Sequence, residues 1–363
     1  MSHNYLAGIT AGDWWRLLQQ NDFGVDPVYW HRAVVVSLLS VVNSWHRRKE
    51  EQAFGAKIEA TPITKAPLFI LGHWRSGTTH LHNLLAQDDE GFAYANTYQV
   101  VNPHTFLTTE EANARRFAWM IPKQRPMDNM ALSFESPQED EFAPLLISLI
   151  SSYLGVSFPR REAHYQRYLS FEGVPREEIE EWKRGFIWFL KKLTFKYGRP
   201  LLLKSPPHTA RIRLLLEMFP DAKFVHIHRR PEDVFVSFRH YYDTAMWHTY
   251  LQRPDRSHID DEIFQRYRAL FRAFFADRDL IPRGNFHEVS FEELERDPIR
   301  TVSGIYEALS INGVDRALPK IQAYASTLRG YEKNRFSSIG EPIKQRIREE
   351  WSEFYEPMGY RVE

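Results

Sequence analysis

Residues Pro67 to Gln87 read PLFILGHWRSGTTHLHNLLAQ and constrain the fold more than any other stretch. Leu68, Phe69, Ile70 and Leu71 form an apolar run too short for a helix and suited to a strand buried on both faces. Gly72 ends it and HWRSG follows. From Thr78 the pattern turns helical, with Leu81, Leu84 and Leu85 on one face. Strand, glycine loop and helix start, in that order, aim backbone N–H groups and the positive end of a helix dipole at one point. Such a point binds a phosphate.

The loop has Gly72, four residues, then Gly77, Thr78 and Thr79. A nucleotide triphosphatase carries lysine where Thr78 stands, to reach the β- and γ-phosphates. Its absence argues against ATP or GTP hydrolysis and suits a donor with no β/γ pair to bridge. Arg75 instead places a fixed cation inside the loop, with a fork matched to phosphate or sulfate oxygens.

With 363 residues, 43% of them apolar, the chain is long enough for a sizeable core. Its 47 basic and 47 acidic side chains cancel, which gives no general affinity for nucleic acid. Anion binding must then come from local basic clusters. The lack of cysteine excludes disulfides, thiolate metal sites and cysteine nucleophiles. No signal peptide is read at the N-terminus. The longest apolar run, residues 33–42, is about half a membrane span. A soluble, cytoplasmic protein is the expectation.

Residues 1–60 read as a helical N-terminal extension. Asp13 stands at a helix start, and a second helix follows Pro27 with Val34 to Val42, ending in His46, Arg47, Arg48 and Lys49. This run is unusually apolar, which marks residues 10–50 as a buried arm or as a contact face for a membrane surface or a second copy. Phe92 to Tyr98 is suited to a second strand. In Ser136-Pro-Gln-Glu-Asp-Glu-Phe142, Pro137 suits a first helical turn and Glu139 the acid of a capping box. Residues 158–170 read as a basic, aromatic linker. A long helix opens after Pro175 and ends near Tyr197-Gly198. Further strands are expected at Arg199–Pro206, Lys223–His228 and Phe286–Ser290, with a helix over Thr209–Phe219. Strands alternating with helices predict an α/β fold: one P-loop-like, three-layer domain over residues 61–363, its central parallel sheet flanked by helices.

A second anion site is suggested in KFVHIHRRPEDVFVSF. Arg229 lies just past a strand end, where open parallel sheets bind ligands. Ser237 follows eight residues later, about two helical turns on. RSGTT, followed by a later strand with this Arg/Ser pair, resembles the sulfotransferase superfamily over most of Pro67 to Phe336. The likeness is strongest to its bacterial-type, tyrosylprotein-like branch. The resemblance implies transfer of a sulfuryl group from 3′-phosphoadenosine 5′-phosphosulfate (PAPS) to an acceptor hydroxyl, with no metal.

It also implies roles. Arg75, Ser76, Gly77, Thr78 and Thr79 would cradle the 5′-phosphosulfate, and Arg229 and Ser237 would hold the 3′-phosphate. His80 stands at an adenine-contacting position, and Phe291 in SFEEL matches an aromatic that approaches the adenine. Arg329 and Lys333 substitute for the basic residues of the family's nucleotide-closing loop. Lys204, in LLLKSPPH, stands where the family keeps a catalytic lysine. There, with Arg75, it would stabilise charge growing on the leaving phosphate. The base fits neither of the family's usual positions, and His208, His104, Glu139 and Glu141 are all candidates. A P-loop kinase and a non-catalytic nucleotide-binding protein are the alternatives. Aromatic clusters such as Trp14-Trp15, Tyr241-Tyr242 and Trp247 suit either the core, the commoner place for such clusters, or the lining of a pocket for an apolar or aromatic acceptor, whose identity the sequence leaves open.

Overall fold

The computed structural model describes residues 4–117, 119, 130, 132–328 and 339–362. Arg329 and Lys333 lie outside the described residues. Five parallel strands form one sheet in the order β2-β3-β1-β4-β5: β1 (Leu68–Leu71), β2 (Ala93–Tyr94), β3 (Leu201–Lys204), β4 (Lys223–His228) and β5 (Phe286–Ser290). β1 is central, with Leu68 opposite both Leu202 and Lys223. Its four side chains are all buried, as a strand covered on both faces requires. Leu68 and Ile70 pack with Leu81, Leu84, Val225 and Ile305 on one face. Phe69 and Leu71 pack with Trp182, Phe186 and Phe224 on the other. Because all strands are parallel, β1, β3 and β4 end on one edge, bringing together Gly72, Lys204 and Arg229.

The N-terminal arm is helical, as its pattern implied. Helix α1 (Ala11–Gln20) is capped by Thr10, whose hydroxyl oxygen accepts from the Asp13 N–H, so the cap lies three residues before the expected Asp13. Helix α2 spans Trp30–Glu59 and runs on well beyond Lys49. Leu6, Trp14, Leu17 and Val36 join the same core as Phe69 and Leu71. The buried Glu50–Lys192 ion pair ties α2 to the long helix Arg176–Tyr197.

Three local expectations are corrected. The second strand stops at Tyr94, because Asn96 and Gln99 form a reciprocal capping box that starts a helix at Thr97. Glu139 caps no helix: the helix behind it begins at Phe142 without a side-chain cap, and the Glu139 carboxylate turns to Lys204 and Tyr153 instead. Charged and phenolic donors in a buried setting outcompete a backbone amide. Residues 158–170 are no linker. They coil into short helices at Pro159–Arg161 and Glu162–Gln166 that bury Tyr165, Tyr168 and Leu169.

Candidate active site

Helix α3 (Thr78–Leu85) begins where the loop after β1 ends. Gly72 and Gly77 have φ of 149° and 97°, backbone that favours glycine. Space demands glycine as well: a Cβ on Gly72 would lie 2.4 Å from the Ile227 carbonyl oxygen, and one on Gly77 would lie 2.4 Å from the Phe291 ring. The first helical hydrogen bond runs from the Leu81 N–H to the Gly77 carbonyl (3.1 Å), which leaves the preceding amides at the anion end of α3. The Gly72 N–H donates to Thr209 Oγ1 (2.8 Å), and the buried Ser76 hydroxyl donates to the carbonyls of His73 and Ile227. The Ser76 side chain therefore fixes the loop to β4, and its hydroxyl points inward.

Arg75 also adopts left-handed backbone, at φ 71°. Its Nε donates to Ser237 Oγ at 2.9 Å. The RSGTT loop and the later Ser237 thus meet directly. Arg229 lies over the Phe291 ring at 4.5 Å, and that ring in turn packs on Gly77. The sequence-derived residues Arg75, Gly77, Arg229, Ser237 and Phe291 are therefore neighbours on one edge of the sheet. His80 sits partly buried in the first turn of α3.

Lys204 ends β3 and is almost wholly buried. Its Nζ lies 2.9 Å from Glu139 Oε1 and 3.5 Å from Thr79 Oγ1, so it bridges the phosphate loop and an acid. The Glu139 Oε2 accepts a 2.5 Å bond from the Tyr153 hydroxyl. Burial first, then the Glu139 charge, holds the Tyr153 phenol well above its ordinary pKa, so the phenol keeps its proton. Tyr153 also accepts from Trp74 Nε1 at 3.1 Å.

The other base candidates face elsewhere. Asp140, next to Glu139, accepts the Lys204 N–H (2.9 Å) and contacts the fully buried His208 Nε2 at 2.5 Å. Glu141 is locked by two bonds from Arg211 and one from Ser151. His104 is buried against Trp188 and near Asp13 of the N-terminal arm. Burial lowers its pKa to about 3, so it stays neutral. Three consecutive acids thus have three settings, and of these only Glu139 reaches the cavity.

That cavity holds ≈ 580 Å³ and is mostly apolar. Its walls include Tyr5, Val42, Trp74, Tyr98, Phe142 and Met246, with Glu139, Tyr153 and Arg266 as polar groups. Leu39, Val42, Asn43 and His46 of α2 also line it. Of the aromatics open to either role, Tyr241 belongs to the lining, whereas Trp247 is absent from its walls and Trp14 packs in the core. Tyr153, Trp74 and Arg266 carry no motif that marks them beforehand. Only Trp74, two residues inside the loop, stood near a signal.

The family model described as "Sulfotransferase family" matches residues 67–351. The omega-hydroxy-beta-dihydromenaquinone-9 sulfotransferases Stf3 of Mycobacterium bovis and Mycobacterium tuberculosis are each 36% identical to this chain over 355 residues, covering 97% of it and 90% of the relative. Among solved structures, sulfotransferase STF1 from Mycobacterium tuberculosis aligns with TM-score 0.70 at 16% identity, covering 95% of this chain and 92% of its own. Sulfotransferase STF9 from Mycobacterium avium aligns with TM-score 0.68 at 18% identity, covering 98% of each chain. The fold is thus that of the sulfotransferases, and the chain belongs to the sulfotransferase family. It is a PAPS-dependent enzyme that moves a sulfuryl group to an acceptor hydroxyl.

Proposed function

We propose that this enzyme sulfates the terminal hydroxyl of a long, apolar, isoprenoid-type lipid, with Glu139 as the general base. One observation carries the reading. Glu139 opens into an apolar cavity while bonded to Lys204, and Lys204 reaches the phosphate loop through Thr79. A cavity of ≈ 580 Å³ is in the range that holds the reacting end of such a molecule. The acceptor in the name of the Stf3 relatives, an omega-hydroxy-beta-dihydromenaquinone-9, supports the same class.

On this reading PAPS binds with its 5′-phosphosulfate against the amides of Gly77, Thr78 and Thr79 and the Arg75 guanidinium. Arg229 and Ser237 hold the 3′-phosphate, and Phe291 stands beside the adenine. His80 flanks the nucleotide, and Ser76 serves by fixing the loop. The acceptor hydroxyl gives its proton to the Glu139 carboxylate as its oxygen bonds to sulfur. The bond from sulfur to the bridging oxygen breaks, and its electron pair leaves with adenosine 3′,5′-bisphosphate. Lys204 stabilises the charge that grows there, a role in which positioned cations carry much of the barrier reduction. Tyr153 and Lys204 hold the base from both sides, and the apolar walls exclude water that would compete for sulfate. Residues 1–60 belong to the acceptor side on this account, because α2 forms one wall.

Glu139→Gln keeps the shape and removes the base. The expected result is a single-turnover rate lowered by roughly a hundredfold or more, the scale of a lost general base. The melting-temperature shift given by adenosine 3′,5′-bisphosphate should stay near that of the parent. A variant that transfers sulfate at the parent rate to farnesol or a longer isoprenoid alcohol would remove Glu139 from the mechanism.

A further inference from the structure

One face of α2 is left apolar and open. Val34, Leu38, Val41 and Trp45 follow at intervals of four, three and four residues, which places them in one stripe along the helix. They are 56%, 67%, 64% and 53% exposed. The next turn of the same stripe brings Arg48 and Lys49, and the Lys49 ammonium lies 3.5 Å from the centre of the Trp45 ring. From Pro27 to Lys49 there is no Asp or Glu, while Arg32, Arg47, Arg48 and Lys49 are basic. The following acid, Glu50, is buried and paired with Lys192. An apolar stripe with an aromatic at its end and cations beyond is the pattern of a helix that lies in a membrane interface. No helix among the described residues is long and apolar enough to cross a membrane.

We infer that α2 docks this enzyme on an anionic lipid surface, apolar stripe inward, so that the acceptor passes from the bilayer into the cavity. The inference rests on the lipid-acceptor reading. Its second support is continuity: Leu39, Val42, Asn43 and His46 of the same helix line the cavity that holds Glu139. One helix thus presents its outer face to the medium and an adjoining face to the site. A water-soluble acceptor would need no such arrangement. Charge complementarity selects the partner, since each basic residue near an anionic bilayer adds about 1 kcal/mol of attraction.

The test is flotation of the full chain with vesicles of phosphatidylcholine alone and of phosphatidylcholine mixed with phosphatidylglycerol. The parent should float with the mixed vesicles and much less with the neutral ones. Val34→Ser, Leu38→Ser and Val41→Ser combined, at three residues that do not line the cavity, should abolish flotation. Arg48→Glu with Lys49→Glu should weaken it by roughly tenfold or more. Circular dichroism and the bisphosphate-induced melting shift serve as folding controls. Transfer to an isoprenoid alcohol should fall in the triple variant when the acceptor sits in mixed vesicles, and persist when it is dispersed in detergent. A parent that floats with neither vesicle, with its transfer intact in detergent, overturns docking and spares the acceptor reading. Flotation with no transfer in detergent supports docking and overturns the acceptor reading. A parent that floats with neither vesicle but forms a concentration-dependent dimer, lost in the triple variant, assigns the stripe to a second copy and overturns the inference.

Discussion

On the proposed assignment the donor side is built from one unbroken stretch between Leu68 and Thr79, joined later by Arg229, Ser237 and Phe291, which the fold brings beside it. The cavity proposed for the acceptor draws its walls from Tyr5, Val42, Tyr98, Phe142, Tyr153 and Met246, which come from across the chain. The donor site uses backbone amides and glycine conformations, which depend on local order. The cavity uses side-chain bulk, which depends only on where helices happen to pack. Lys204 and Glu139 stand at the seam, one from each side. The same reaction therefore places two kinds of constraint on one sequence. Phosphate binding demands a fixed spacing, whereas acceptor binding demands a fixed volume and polarity.

The seam should carry the largest single effect. Lys204→Ala is expected to lower turnover by roughly a hundredfold or more, the scale of losing one preorganised donor to a developing charge. Donor affinity should change much less, and Lys204→Arg should restore only part of the rate, because a planar fork does not replace a compact ammonium. Single-turnover kinetics at saturating PAPS checks this. An alanine variant that folds and turns over at the parent rate would assign Lys204 to the fold alone.

A smaller effect belongs to the donor side. Arg229→Ala should weaken binding of adenosine 3′,5′-bisphosphate by roughly ten- to a hundredfold, the range for a lost hydrogen bond to a charged group. The rate at saturating donor should fall less, because the proposed contact is to a phosphate that does not react. ATP with magnesium should raise the melting temperature much less than the bisphosphate. Equal stabilisation by the two would revive the kinase alternative.

Different in kind, because it is read in stability and not in rate or affinity, is a response to acid spread over both sides. Burial lowers the pKa values of His73, His82 and His104 to about 3 each, so all three are neutral in the fold. In the unfolded chain they titrate near 6.5. Below that value the unfolded state takes up protons that the folded state refuses. The stabilisation is thus complete above about pH 6.5 and is lost as pH falls toward 3, each histidine contributing up to about 1.4 kcal/mol per pH unit. Urea unfolding between pH 7.5 and 5 should show stability falling in that window. A flat profile would contradict neutral burial.

What could be read from residues alone follows the same division. LFILG followed by GTTH specified strand, loop and helix within a single window, and Arg229 with Ser237 marked the second strand end. Their direct meeting through Arg75 was not legible, because a contact across 162 residues leaves no local pattern. Asn96 and Gln99 form a capping signal embedded in an apolar, aromatic run that otherwise favours a strand. Glu139, Asp140 and Glu141 shared one window as similar acids. Only tertiary packing separates them, by giving Asp140 to His208, Glu141 to Arg211, and Glu139 to Lys204 and the cavity. Tyr153 stood among ordinary core aromatics, and nothing in its neighbours announces that its hydroxyl points at an acid.

The central claim is that donor and acceptor halves meet through Lys204 and Glu139 as one unit, and a double-mutant cycle tests it most directly. Single-turnover sulfate transfer would be measured at saturating PAPS, with one isoprenoid alcohol, for the parent, Lys204→Ala, Glu139→Gln and the double variant. Groups that act together lose their effect once, so the double variant should be little slower than the worse single one. If the two losses multiply, the residues act independently and the seam described above does not exist.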